Sequence, residues 1–340
     1  MDIKEIRKKA RERVKERCRV CPICDGRACS GDVPGMGGIG TGASFQNNVK
    51  ALAAKRLVMR VLHEANDPDT SVELWGKKLS MPVFVAPVGN VISNAGSGMS
   101  DHTYISALAK GCMAAGTLAS VGDLPGVDNF AANMASLGAH GSSAVAFIKP
   151  WTPDEVEKRL DVVKNMGCAI CGMDVDAAGL PALHKVATPV SMKAAGELGK
   201  IIRLAHDRGL KFIVKGIMAA DEAKIAVEAG ADAVLVSNHG GRVLDHTPGT
   251  AEVLPAIAES VGKNTVVMLD GGIRSGADVL KALALGAKIT LICRPVLVAV
   301  HGDEENGAAT YLNMIKDELA QAMRLTGCEN LASVSDKVIC

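Results

Sequence analysis

Short apolar runs alternate with stretches of helical spacing from residue 83 almost to the end of the chain. Eight such runs stand at 83–86, 116–120, 144–148, 169–174, 212–215, 233–237, 265–270 and 288–293. Each is too short for a helix and continuous rather than alternating, the pattern of a strand buried on both faces. Between them, apolar residues recur three and four apart over 153–166, 219–229, 250–261 and 276–285, and the same spacing predicts a last helix over 308–325. Strand and helix in alternation build a parallel sheet, and eight rounds predict its closure into a (β/α)8 TIM barrel, an α/β fold.

Ahead of the barrel, Ile3, Ile6, Ala10 and Val14 are spaced for one face of a helix over 3–17 whose other positions are mostly charged. A solvated helix is expected there rather than a binding arm. A cysteine-rich stretch and the glycine-rich run 35–42 follow. That run does not follow a strand, so it is not a dinucleotide-binding fingerprint; a flexible cover over a neighbouring site and a plain linker are equally compatible with it. The expected division is therefore 1–45, an N-terminal helical, cysteine-rich extension, and 46–340, the barrel.

Barrels of this kind keep their chemistry where the carboxyl ends of the strands emerge. The first predicted strand presents Ala86, Pro87 and Val88 there, the second Ser120, the third Lys149, and the fourth Asp174 and Asp176. The fifth ends in Lys215, the sixth in Ser237 and His239 with Arg242 after two glycines, the seventh in Asp270, Gly271, Gly272 and Arg274, and the eighth in Arg294. A neutral imidazole beside a fixed guanidinium suits proton abstraction from a substrate that carries a carboxylate. Asp176 could orient that imidazole, and Lys215 could offset negative charge developing on a cofactor ring. Gly271, Gly272, Arg274 and Arg294 occupy the place where such barrels hold a phosphate.

Charge narrows the picture: 38 basic against 37 acidic residues leave a net +1, so nothing points to nucleic acid or a membrane surface. No run of about 18 apolar residues occurs and the amino terminus is charged, so a soluble cytoplasmic protein is expected. In that setting the 10 cysteines are thiols rather than disulfides. Cys18-x2-Cys21-x2-Cys24-x4-Cys29 stands out, because thiolates two residues apart in a tight turn reach a common metal. The first gaps resemble a bacterial ferredoxin; the fourth is one residue too long and is followed by Ser30 instead of proline. An iron–sulfur cluster, a four-thiolate zinc site, a thiol pair cycling through a disulfide and unliganded cysteines all remain open. Cys168 and Cys171 lie on a predicted strand and read as packing residues.

The stretches Lys215-Gly216, Ser237-Asn238-His239-Gly240-Gly241-Arg242, Leu244-Asp245, Asp270-Gly271-Gly272-Ile273-Arg274 and Arg294-Pro295 closely resemble the FMN-dependent α-hydroxy acid oxidase and dehydrogenase family. The resemblance is dense over 212–335 and recognisable over 43–120 through Leu74-x-Gly76 and Ala86-Pro87. It implies FMN at the carboxyl-terminal rim, His239 as catalytic base paired with Asp176, and Arg242 on the substrate carboxylate. It also implies Lys215 near the flavin ring, with Ala86, Pro87, Val88, Ser120 and Ser237 around it, and Asp270, Gly271, Gly272, Arg274 and Arg294 toward ribitol and phosphate. The implied reaction is oxidation of a 2-hydroxy acid to the 2-oxo acid, in an enzyme that related members suggest is a homo-oligomer.

Departures from the family are concentrated around the substrate. The only tyrosines, Tyr104 and Tyr311, stand at neither of the family's two tyrosine positions. Ala146 replaces a glutamine, the segment 177–180 lacks a second carboxylate-binding arginine, and Cys293 precedes Arg294 where a glycine is usual. One reading is that a metal centre in the cysteine-rich segment takes the electrons from FMN. Two others are an FMN-dependent isomerase of the type 2 isopentenyl diphosphate kind, and a flavin- and metal-binding redox sensor or electron-transfer protein that turns over no hydroxy acid.

Overall fold

The computed structural model describes residues 1–187 and 189–340. Its centre is an eight-stranded parallel sheet: β3 (Val83–Val85), β4 (Ala119–Gly122), β5 (Ala144–Ile148), β6 (Ile170–Asp174), β7 (Lys211–Ile217), β8 (Ala233–Val236), β9 (Val266–Leu269) and β10 (Ile289–Ile292). Neighbours in the sheet follow chain order, and β10 pairs with β3. The ring closes through a parallel bridge between Val88 and Val121 and the Val85 amide on the Leu118 carbonyl at 3.2 Å. Eight strands leave an interior just wide enough for side chains. Phe84, Phe147, Ile213, Leu235, Met268 and Leu291 fill it, all buried. A two-stranded hairpin, β1 (Val72–Leu74) with β2 (Lys77–Leu79), adds Leu74 and Leu79 to the same cluster. The barrel is therefore a packed core that offers its chemistry at the rim.

Expected and observed elements differ in places. Gly116 sits in the left-handed region at φ +71° and turns the chain late, so β4 begins at Ala119 and carries Ser120 inside the strand rather than at its end. The hairpin has no counterpart among the expected strands, because Trp75 and Gly76, both at positive φ, make a turn within a polar stretch. The N-terminal helix, α1 (Ile3–Arg13), stops short of the expected residue 17, with the Val14 amide making its last bond. It is not solvated all round. Ile6, Ala10 and Val14 are fully buried, and a Cβ on Gly302 of the helix Arg294–Gly302 would lie 2.1 Å from the Ile6 carbonyl oxygen. Glycine there lets two helix backbones touch, which fastens the extension to the barrel.

Candidate active site

The loop after β8 is built to present one side chain. His239 lies in the left-handed region at φ +56°, followed by Gly240 and Gly241 at +65° and +80°. Three such residues in succession double the chain back, and only glycine fits the third, where a Cβ would stand 2.3 Å from the Phe45 nitrogen. Asn238 ties the turn down by exchanging amide hydrogen bonds with Asn48 of α2 (Ala43–Ala54) at 2.8 and 3.0 Å, and Ser237 Oγ accepts the His239 amide at 3.1 Å.

What the imidazole meets is a carboxylate, with His239 Nδ1 3.1 Å from Asp176 Oδ1. Asp176 accepts there, so the neutral ring carries its proton on Nδ1 and keeps the Nε2 lone pair. Room for this pair comes from β7. Its register shifts between Lys215 and Ile217, and Gly216, at φ +105°, leaves open the space in which a Cβ would come within 2.7 Å of Asp176. Burial lowers the basicity of His239, the Lys215 ammonium lowers it further, and Asp176 opposes both; the net direction is down.

Lys215 and Lys149 hold the floor of the site. Lys149 Nζ donates to Asp174 Oδ2, and Lys215 Nζ lies 3.2 Å from Asp174 Oδ1 and 3.8 Å from Asp270 Oδ2. Burial would raise the Asp174 carboxyl, yet the two ammoniums outweigh it and hold it well below the usual range. Burial would lower Lys215, but Asp174, Asp176 and Asp270 together push it up, so it stays charged. Asp270 goes the other way, raised by burial beyond what Lys215 offsets. Ligand atoms of Asp174, Asp176 and His239 also lie within 4.8 Å of one another, but the two lysines already neutralise Asp174, which leaves little charge for a metal ion.

Arg242 is half-buried and donates to Asn94 Oδ1 at 2.6 Å, while its buried Nε has no partner. Burial and then Arg294 lower it to about 10, which still leaves it cationic at neutral pH. Arg294 opens the helix Arg294–Gly302, donates to the carbonyls of Met36, Gly37 and Gly240 at 2.7, 3.0 and 3.0 Å, and stacks 3.9 Å from the centre of the Phe45 ring. The glycine-rich segment is thereby pinned across the rim. Arg274 stands 5.6 Å from the centre of the same Phe45 ring and donates from Nε to the Cys24 carbonyl at 3.1 Å, its own carbonyl accepting from Tyr311.

These groups surround a cavity of about 720 Å³. Ala86, Pro87 and Val88, Lys215, His239, Arg242, and Asp270 through Arg274 with Arg294 all line it. Ser120 is buried within β4 and Ser237 just past the end of β8, and Asp176 stands behind His239. The donor set fits FMN. Oδ1 of Asp270, Nε of Arg242 and a terminal nitrogen of Arg274 are buried without partners, and Gly271 and Gly272, at φ +90° and +87°, bring backbone close to a helix N-terminus where a phosphate is favoured. Cys18, Cys21, Cys24 and Cys29 are half-buried and line a second cavity of about 340 Å³, with burial raising the Cys18 thiol and raising Cys29 to about 11. Cys168 and Cys171 are buried.

Comparison with known proteins agrees with this geometry. The family of FMN-dependent dehydrogenases matches residues 35–185 and 181–340. The chain belongs to it. An L-lactate oxidase of Lacticaseibacillus rhamnosus is 31% identical over 86% of this chain and 85% of its own length, and a 4-hydroxymandelate oxidase of Amycolatopsis orientalis is 31% identical over 87% and 90%. 2-Hydroxyacid oxidase 1 of Mus musculus is 48% identical over a shorter stretch, 38% of this chain and 35% of its own. Among solved structures, a mandelate oxidase variant holding an FMN adduct superposes with a TM-score of 0.77 at 26% identity over 98% of both chains. A lactate oxidase of Pediococcus acidilactici reaches 0.80 at 24% identity over 100% and 94%, and shares the fold. No helix among the described residues is long and apolar enough to cross a membrane.

Several members of this FMN-dependent oxidoreductase's site escape sequence reasoning. Asn94 and Asn48 are remote polar residues with no motif. Phe45 is the platform under both arginines. Lys149 stands at a strand end, where position alone marks it, but its partner Asp174 becomes visible only once β5 and β6 lie side by side.

Proposed function

We propose that this chain oxidises a 2-hydroxy acid to the 2-oxo acid with FMN as cofactor, working in a reducing cytoplasm that keeps its ten cysteines free. Gly271, Gly272, Arg274 and Arg294 would hold the FMN phosphate, with Ala86, Pro87, Val88 and Lys215 facing the ring. Bound FMN would supply the two-electron acceptor that the amino acids lack.

The residues of the chain do the rest. Arg242 binds the substrate carboxylate, held in place by Asn94 and with Nε still free to donate. His239 is neutral and takes a proton from the substrate at Nε2. Asp176 then stabilises the imidazolium, and Lys215 offsets negative charge arising beside it. The observation that carries this reading is the His239–Asp176 pair at 3.1 Å on the same cavity as the Arg242 guanidinium, whose Nε has no partner.

The test is anaerobic mixing of FMN-loaded protein with lactate, glycolate and mandelate in turn, watching the flavin absorption. Bleaching by at least one acid, lost in His239→Ala with FMN retained, is the expected outcome. A flavin that stays oxidised with every 2-hydroxy acid tried refutes the reading in favour of a sensor or a non-redox isomerase.

A further inference from the structure

The four N-terminal cysteines take no part in the proton chemistry above, yet they converge on one place. Cys18, Cys21, Cys24 and Cys29 border the same cavity of about 340 Å³, which adjoins the rim cavity: Met36, Gly272, Arg274 and Arg294 line both. The segment is held by its carbonyls rather than by its thiols. Arg7 donates to the Cys21 carbonyl, Arg11 to that of Val20 at 3.1 Å and Arg274 to that of Cys24 at 3.1 Å, while Cys29 Sγ makes only a long contact to the Gly26 carbonyl at 3.9 Å. Val20 adopts φ +47°, a costly conformation for a β-branched residue, and its amide points at Cys18 Sγ at 3.4 Å. Amide-to-sulfur hydrogen bonds of this kind tune a thiolate bound to iron.

Charge and spacing decide what the cavity suits. Arg7, Arg19, Arg274 and Arg294 line it against two carboxylates, Asp25 and Asp278, so its walls favour a ligand assembly of net negative charge. One zinc ion with Zn–S near 2.3 Å draws its four sulfurs to within roughly 4 Å of each other. Among the described residues no three of these sulfurs come within 4.8 Å of one another. A cluster in which each thiolate binds a different iron holds them further apart and needs a cavity between them.

We propose that Cys18, Cys21, Cys24 and Cys29 ligate a [4Fe–4S] cluster that carries electrons out of the neighbouring cofactor cavity. The site stands independently of the reaction; its role rests on the hydroxy acid oxidation proposed above. Each substrate oxidised gives up two electrons and two protons. The protons go by way of His239 to solvent. The electrons leave singly through the cluster, each transfer changing one ferric equivalent to ferrous before a one-electron carrier outside the protein reoxidises it.

The full chain is purified without oxygen and loaded with FMN, and iron, acid-labile sulfide and zinc are measured, with electron paramagnetic resonance after dithionite. About four iron and four sulfide per chain are expected, with a reduced-cluster signal. Cys21→Ser with Cys24→Ser should bring iron to background while FMN stays bound, and Cys340→Ser, at an exposed position, should leave it unchanged. If the double variant fails to fold, iron and sulfide in the unaltered chain still decide. One zinc per chain, or no metal with a disulfide among these cysteines, overturns the cluster and leaves hydroxy acid oxidation standing. A cluster-loaded protein whose flavin no acid bleaches refutes that oxidation and the relay role but not the site.

Discussion

Asp176→Asn is the sharpest probe of the chemistry, because the amide keeps the shape of the side chain and removes its charge. In the native site, burial and Lys215 both disfavour a protonated His239, and Asp176 at 3.1 Å opposes them. Opposite charges at that distance attract by about 5 kcal/mol at an effective dielectric near 20. That is an upper bound, since the amide oxygen can still accept from Nδ1 and some water penetrates. Loss of half to three-quarters of it, at 1.36 kcal/mol per decade, slows proton removal by roughly 10²- to 10³-fold. The assay is the anaerobic flavin-bleaching rate at saturating 2-hydroxy acid, with FMN content measured alongside. Flavin reduction at the native rate in Asp176→Asn, with FMN fully bound, would show that His239 does not become an imidazolium in the slow step.

The same shift sets a pH dependence. His239 is held below the ordinary imidazole value, so the bleaching rate should persist as pH falls through about 6.5 and decline only at more acid pH. Stability moves in the matching direction: below the unfolded imidazole value the unfolded chain binds the extra proton, so folding free energy measured by urea titration should fall from there down to the folded value. Arg242→Lys loses the fixed fork and the Asn94 contact, and a raised KM with kcat/KM lower by roughly 10- to 100-fold is expected from steady-state kinetics. Lys215→Met leaves Asp270 without its nearby cation while Lys149 still neutralises Asp174, so denaturant titration should show a loss of about 3 kcal/mol, the lower end for breaking a buried pair. Gly241→Ala drives a methyl group into the Phe45 backbone, and both thermal stability and FMN retention should drop.

The barrel was legible because each of its strands is a continuous apolar run, a local property that needs no partner to be seen. Its rim was legible for the same reason: residue types change abruptly where a strand ends, as from Val236 to His239 or Leu269 to Arg274. Boundaries drifted where glycine intervened, as at Gly116. The charged face of α1 stays exposed as its composition implies, while its three apolar positions bury one side once a glycine-bearing helix lies against it.

What could not be read was reciprocity. Lys215 and Asp270 announce themselves as strand-end residues, but nothing in their order along the chain says that Lys149 and Lys215 share Asp174, or that this sharing leaves Asp176 free to serve His239. Those relations come from the lateral order of β5, β6 and β7 and from a bulge at Gly216, which a sequence records only as one more glycine. The N-terminal cysteines show the same asymmetry. Their spacing marks them as potential ligands, while the feature that joins their cavity to the rim, a wall of Arg274 and Arg294 shared by both, depends on contacts between residues some 250 positions apart in the chain. A segment that looks like an appendage in the sequence thus supplies one side of the cavity in which the two arginines stand.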